Sequence, residues 1–400
     1  MLRPRLAAAL ARAPAARRAL SSSSSSPSPS SSLPAPTPAP PSHQVVFDTR
    51  AKLLQRNRAG ARADAADFDY VRDEAARRLV ARLGDVLRAF PVAVELGANS
   101  GNVLRALLQA AREEPSAAGA APGAGGGVGA LPGGVRELHM VEPAERMLFR
   151  DAAALGFLPA PSGALPRASP APPLPLTVHA HVAPLEGAPL PFADGSADLV
   201  LSSMAMHWVN DLPGLLREAL RVLRPDGAFL AVMAGGETLQ ELRSAFYAAE
   251  LEVSGGASPH ASPMCAVADA GNLMTAAGFA LTTVDADTFT LEYPSPRSLF
   301  THLRAMGESN AALGMRQGAR RPLLARAEEI YQRDFSSEES GDGSVVATVQ
   351  LIFMIGWKPA ASQPLPKARG SVPKGFGQRK LSGPSAAAAA PAACASGDDS

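Results

Sequence analysis

Between residues 92 and 107 the chain reads VAVELGANSGNVLRAL, an apolar run that passes through Gly97-Ala98-Asn99-Ser100-Gly101 into residues suited to a helix. Glycines at both ends of the turn let the backbone bend sharply and approach a ligand with no Cβ in the way. A strand, a glycine turn and a helix in that order often hold nucleotide-type cofactors. A phosphate-binding loop is not indicated, since no Gly-Lys-Ser/Thr follows. Glu95 precedes the turn, and Glu142 ends the next apolar run, ELHMVE, where a carboxylate can accept hydrogen bonds from both hydroxyls of a ribose. The plainer alternatives are a purely structural turn and a solvated carboxylate at a strand end. Asn99 stands where the usual fingerprint has a glycine. Asparagine tolerates left-handed backbone angles better than most residues, so the turn is expected to survive.

The elements that must position these residues follow from periodicity. In FDYVRDEAARRLVARLGDVL, Phe68, Val71, Ala75, Leu79, Leu83 and Leu87 recur at three- and four-residue steps, which predicts an amphipathic helix leading into the first strand. Short apolar runs follow at 137–142, 176–182, 197–203 and 227–235. Their hydrophobicity is continuous rather than alternating, which predicts strands covered on both faces and a mostly parallel sheet. Between the last two lies NDLPGLLREALRVLRPDG, a helix capped by Asn210 or Asp211, with Pro213 in its first turn and Pro225 and Gly227 beyond its end. Strand and helix alternating in this way predict a doubly wound α/β sheet. Ligands of such sheets lie beyond the carboxyl ends of the strands, where the strand order reverses.

Composition bounds the rest. The formal net charge is +1, so the chain has no basic excess of the kind that draws proteins to nucleic acid, and no nucleic-acid motif is present. Cys265 and Cys394 are too far apart and too few for a disulfide framework or a cysteine zinc cluster. Residues 1–46 carry Arg3, Arg5, Arg12, Arg17 and Arg18 and no acid, with serine late, the composition of a mitochondrial transit peptide and linker. A helical segment is expected over 47–90 and the main domain over 91–359. Insertions at 115–134 and 155–175 are expected to be surface loops, and 360–400 a disordered tail. No run of about eighteen apolar residues occurs, so a membrane-spanning mature chain is not expected.

The strings VELGANSGNVLRAL, VEPAERML and LEGAPLPFADGSADLVLSSMAMHWVNDLPGLLREALRVLRPDGAF resemble, in content and order, the class I S-adenosylmethionine-dependent methyltransferases. That resemblance implies a seven-stranded Rossmann-like sheet with helical additions. It also implies S-adenosyl-L-methionine as cofactor, with Glu95, Gly97, Asn99 and Gly101 at its methionine end, Glu142 at the ribose, and Leu185 and Glu186 near the adenine. Adenosylmethionine has no pyrophosphate, and its methionine end is zwitterionic, so carboxylates and peptide groups can serve where phosphate would want positive charge. HWVNDLP within this core, and GGASPHASPMCAVADAGNLMTAAGFALTTVD, HLRAMGESNAALGMR and the ending MIGWK outside it, closely resemble the mitochondrial arginine hydroxylases that act in complex I assembly. The resemblance runs from about residue 47 to 359. It implies an arginine of a complex I core iron–sulphur subunit as substrate, assembly intermediates as partners, and a place on the matrix side of the inner mitochondrial membrane with peripheral contact. Malonyl-acyl-carrier-protein O-methyltransferases are a more distant likeness.

Beyond the cofactor, His207 and Trp208 fall just after the fourth strand, where substrate would meet it. His207 is a base, a polar contact for a guanidinium, or a packed histidine; Trp208 stacks on the guanidinium or belongs to the core. A cationic substrate asks for carboxylates, and the candidates are Asp211, Glu237, Glu241 and Glu308. Glu237 reads equally as a charge at a helix start. GASPHASP, with His260, reads as a lid or substrate loop. A non-haem iron site would commonly show His-x-Asp or His-x-Glu, and neither occurs; His179 and His181 share a strand face expected to be packed by a helix, so no metal is expected. Three functions remain open: arginine hydroxylation, methyl transfer, and a non-catalytic assembly module.

Overall fold

In the computed structural model the described residues are 45–113, 131–157, 175–256, 260, 262–313, 321–337 and 343–364. The expectations for the arm up to residue 44, for 115–130 and 158–174 of the two insertions, and for the tail beyond 364 lie outside them, as do Ser258, Pro259 and Ala261 of the expected lid.

The apolar runs read from the sequence become Val92–Leu96 (β1), Glu137–Val141 (β2), Thr177–His181 (β3), Ala197–Ser203 (β4) and Leu223–Ala234 (β5). Ala280–Tyr293 (β6) and Val345–Trp357 (β7) complete a seven-stranded sheet in the order β3-β2-β1-β4-β5-β7-β6. The first five strands pair in parallel, and β7 runs antiparallel to both β5 and β6. The order reverses between β1 and β4, so the crevice such sheets offer to ligands opens where the β1 turn lies.

Thr49–Gly60 (α1) and Tyr70–Gly84 (α2) precede β1, and Asn102–Glu113 (α3) follows its turn. Two short helices, Glu145–Leu148 (α4) and Ala152–Leu155 (α5), follow β2. Leu212–Val222 (α6), Gln240–Ser254 (α7), Val267–Ala277 (α8), Pro296–Met306 (α9) and Arg321–Asp334 (α10) complete the helices used below. One sheet face is covered by α2 and α3, through Leu79, Leu83, Leu104 and Leu107. The other is covered by α6 and α8, through Leu215, Leu216, Ala270 and Met274. A third cluster, from α7, α9 and α10, packs on the far half of β7. No helix among the described residues is long and apolar enough to cross a membrane.

Three local expectations change. The helix into β1 stops at Gly84, leaving Leu87 outside the apolar stripe and fully exposed. At the sheet edge β3 is only partly buried, so the side chains of His179 and His181 are not sealed under a helix. The helix after β5 begins at Gln240, behind Leu239 at φ 53°, so Glu237 lies in the preceding turn and is exposed. Of the two caps offered for α6, Asp211 is the one used: its side chain accepts from the Gly214 N–H at 2.9 Å.

Candidate functional site

The turn after β1 takes its shape from backbone angles that most residues avoid: φ is 74° at Gly97, 52° at Asn99 and 83° at Gly101. The N–H groups of Gly97 and Ala98 both donate to the Val141 carbonyl, at 2.8 and 3.0 Å, tying the turn to the end of β2. A Cβ added at Gly97 would stand 2.1 Å from Ala205 Cβ, so the β4 end leaves no room for one. Asn99 keeps the left-handed angle and adds two struts, its Nδ2 donating at 2.9 Å to the carbonyls of Gly97 and Ser203. The substitution therefore braces the turn instead of breaking it.

Glu95 is fully buried behind this turn, and neither carboxylate oxygen has a hydrogen-bond partner among the described residues. Burial, and then the charge of Glu142, push its pKa up to about 8. A sealed acid with no donor is costly, and a small cation would relieve it. The ammonium of an amino-acid cofactor fits that need. Below about pH 4 both folded and unfolded chains carry the proton on this acid, and its ionisation takes nothing from stability. As pH rises toward 8 only the unfolded chain ionises, so stability falls by about 1.4 kcal/mol per pH unit until the folded acid ionises too. Urea unfolding of the ligand-free protein should accordingly show Glu95→Gln gaining on the wild type as pH rises from about 5 to 8; a constant gap would mean that Glu95 is already ionised.

Glu142 is also fully buried, and its partners are protein groups. Arg56 of α1 grips it in a fork, Nε to Oε1 at 3.2 Å and Nη2 to Oε2 at 2.7 Å. The N–H groups of Asn99 and Ala144 donate to the remaining positions at 3.1 and 2.9 Å. The same Arg56 Nη2 donates to Asn99 Oδ1 at 2.7 Å. Burial opposes the charge on Arg56, but Glu142 outweighs it and raises the guanidinium pKa further. Four donors saturate a carboxylate, so a ribose can bond to Glu142 only when Arg56 yields.

In front of this pair lies a cavity of about 640 Å³, lined among others by Arg56, Glu142, Leu185, Glu186 and Trp208. That is room for a nucleoside. Glu186 accepts from the N–H groups of Asn210 and Asp211, at 2.7 and 2.9 Å, and so fixes the loop before α6. Leu185 supplies an apolar wall. The donor set and the cradle therefore fit adenosylmethionine, with Arg56 as the group that must move.

Trp208 also lines a second cavity, of about 340 Å³, together with His207, Glu308, His260, Phe246 and Tyr293, and so stands between the two. Its indole N–H donates to Glu308, which also accepts from Arg72 at 2.6 Å. Lys52 of α1 sits 3.2 Å from the indole centroid and 3.9 Å from Glu308, and donates to the carbonyls of Gly307 and Ser309 at 3.0 and 2.9 Å. Burial brings its pKa down to about 7. Burial opposes ionisation of Glu308 as well, but Lys52, His207 and Arg72 hold that carboxyl well below its usual range. His207 Nε2 is 3.7 Å from Glu308, and its buried Nδ1 has no partner among the described residues.

The other expected substrate residues are placed elsewhere. Asp211 lines the cofactor-side cavity, with its carboxylate engaged in capping α6. Glu241 is buried against β7, where it accepts from the Thr348 hydroxyl and N–H, and neither it nor exposed Glu237 lines the second cavity. His260 does line it, bonded to Glu250 at 2.8 Å and tilted against Phe246. Lys52, Arg56 and Arg72 are not among the residues singled out from sequence; for Lys52 and Arg56 the signal is the polar helix TRAKLLQRNRAG, which sets them four residues apart.

A methyltransferase-domain family model matches residues 122–231, a span that begins after the glycine turn. The chain is 36% identical to the mitochondrial arginine-hydroxylase NDUFAF5 of Danio rerio, over 83% of this chain and 88% of that one. The Homo sapiens protein of that name is 34% identical over 83% of each. A malonyl-[acyl-carrier protein] O-methyltransferase of Halorhodospira halophila is 38% identical, over 42% of this chain and 54% of its own.

Proposed function

The chain belongs to the mitochondrial arginine-hydroxylase NDUFAF5 family, and from that premise we propose that it binds S-adenosylmethionine beside the β1 turn and hydroxylates an arginine of a complex I core iron–sulphur subunit. Its place in this reading is the matrix side of the inner mitochondrial membrane. One observation supports the substrate class above the others: the indole face of Trp208 and the carboxylate of Glu308 already hold a cation, Lys52. The same two groups, reached from the cavity that Trp208 and Glu308 line together and Lys52 does not, suit a guanidinium better. It is planar, stacks on an aromatic face and donates to a carboxylate in a fork, and it stays charged where a buried ammonium does not.

When bound, adenosylmethionine supplies a methyl sulphonium. Around it, in this reading, Glu95 takes the ammonium, the turn from Gly97 to Gly101 presents peptide groups to the carboxylate, and Glu142 takes the ribose once Arg56 withdraws. Leu185 and Glu186 border the adenine. Trp208 then keeps substrate and cofactor on opposite sides of one ring.

Two other readings each have an observation behind them. The unpartnered Nδ1 of His207 would serve a methyl transfer as base, and the Arg56–Glu142 fork would suit an assembly module that does not turn over. Mass spectrometry of the complex I subunits from cells lacking this protein separates all three. Loss of one oxygen's mass from an arginine supports hydroxylation, loss of a methylene's mass supports methylation, and unchanged subunits with failed assembly support the module. In complemented cells Glu308→Gln should lower arginine modification about a hundredfold, the loss expected for a charge-assisted contact worth roughly 2–3 kcal/mol, while leaving cofactor affinity intact. Undiminished modification would remove Glu308 from the substrate site.

A further inference from the structure

The spacing Glu137-Leu138-His139 puts an acid and an imidazole on one face of β2, and the parallel register sets His139 opposite His179 and Val141 opposite His181 on β3. Glu137 Oε1 lies 3.1 Å from His139 Nε2 and 3.1 Å from His179 Nε2. These three ligand atoms lie within 4.8 Å of one another. Adjacent ligands about 2.1 Å from one ion stand about 3.0 Å apart at right angles and about 3.4 Å apart at a tetrahedral angle, so the spacing matches a shared ion. The rings of His139 and His179 stack with centroids 4.7 Å apart, which aims both Nε2 atoms at the same oxygen.

A second layer is present. His139 Nδ1 is 3.1 Å from His181 Nε2, so His181 can accept a hydrogen bond from that N–H and leave His139 Nε2 free to face the ion. Phe192 stands edge-on to both rings, at 5.4 and 5.3 Å, and walls the cluster on one side. Toward solvent the cluster is open: the side chains of Glu137 and His179 are 40% and 39% exposed. An ion could enter from that side and keep positions for water. Two imidazoles with one carboxylate suit first-row transition ions, whereas magnesium and calcium prefer oxygen alone.

We propose that Glu137, His139 and His179, with His181 orienting His139, form a binding site for one divalent first-row transition ion on the β2–β3 face. None of the four lines either cavity described above, so the site is separate from the cofactor and substrate pockets and does not rest on the hydroxylase reading.

Cobalt(II) tests it on the mature chain, free of any histidine tag and stripped with a chelator. One equivalent per chain should bind, with d–d absorption bands of imidazole and carboxylate coordination. His139→Ala/His179→Ala, shown to be folded by circular dichroism, should bind at least about a hundredfold more weakly. His181→Phe, which leaves the ligands in place, should weaken binding by about ten- to a hundredfold, as outer partners of ligating histidines do. The absence of cobalt binding by the wild type, or undiminished binding by the folded double variant, would overturn the site and leave the cluster as hydrogen-bonded edge packing.

Discussion

Gly97→Val is expected to abolish S-adenosylmethionine binding and to cost stability as well. Two penalties combine. A branched residue must hold φ near 74°, and its Cβ must fit where Ala205 Cβ stands 2.1 Å away. Each typically costs about 1–3 kcal/mol. The chain relieves them only by moving the turn away from β4, which also displaces Glu95 and the peptide groups offered to the cofactor. Thermal unfolding should show a clear drop in Tm, and calorimetry no saturable heat. Ala205→Gly added to Gly97→Val should recover part of the stability by removing the clash, but not the part owed to φ. Wild-type affinity in a folded Gly97→Val protein would place the cofactor elsewhere.

Arg56→Met should give the opposite pair of effects. Breaking a buried ion pair by removing one partner costs about 3–5 kcal/mol, because Glu142 is left charged and Asn99 loses a donor. The ligand-free protein should be less stable by about that much. Cofactor affinity, by contrast, should rise about tenfold or more, since the ribose hydroxyls no longer compete with a guanidinium for Glu142, and each tenfold is only about 1.4 kcal/mol. Glu142→Ala removes the contested acceptor altogether and should weaken binding. Calorimetry on the two variants checks both signs together; weaker binding in Arg56→Met would mean that Arg56 holds the cofactor rather than its place.

What could be read from the sequence and what could not divide along a physical line. Strands β1 to β5 and helix α6 were visible because each lies in a short apolar run or carries a regular stripe, which depends on local pattern alone. Strands β6 and β7 were not located by pattern. The first alternates partly buried and exposed residues at the sheet edge, and the second carries Thr348 and Gln350 in a buried strand. The glycine turn and the tolerance of Asn99 followed from backbone sterics at single residues. The partners of the site did not, because they depend on long-range docking: Arg56 meets Glu142 across 86 positions, and Arg72 meets Glu308 across 236. Glu241 was misplaced for the same reason, its acid being spent on β7. The expectation of no metal, from which only the proposed β2–β3 site departs, weighed histidine followed by acid along one strand. The arrangement in the structure reverses that order and completes it from the neighbouring strand through register.

The most direct test is calorimetric titration of S-adenosylmethionine into the wild-type protein near pH 7, repeated in buffers of different ionisation enthalpy. Glu95, with its pKa near 8, is protonated in the free protein and must ionise to meet the cofactor's ammonium. One site is expected, releasing close to one proton per cofactor bound, a release absent in Glu95→Gln. No binding, or binding with the same proton balance in both proteins, would contradict it.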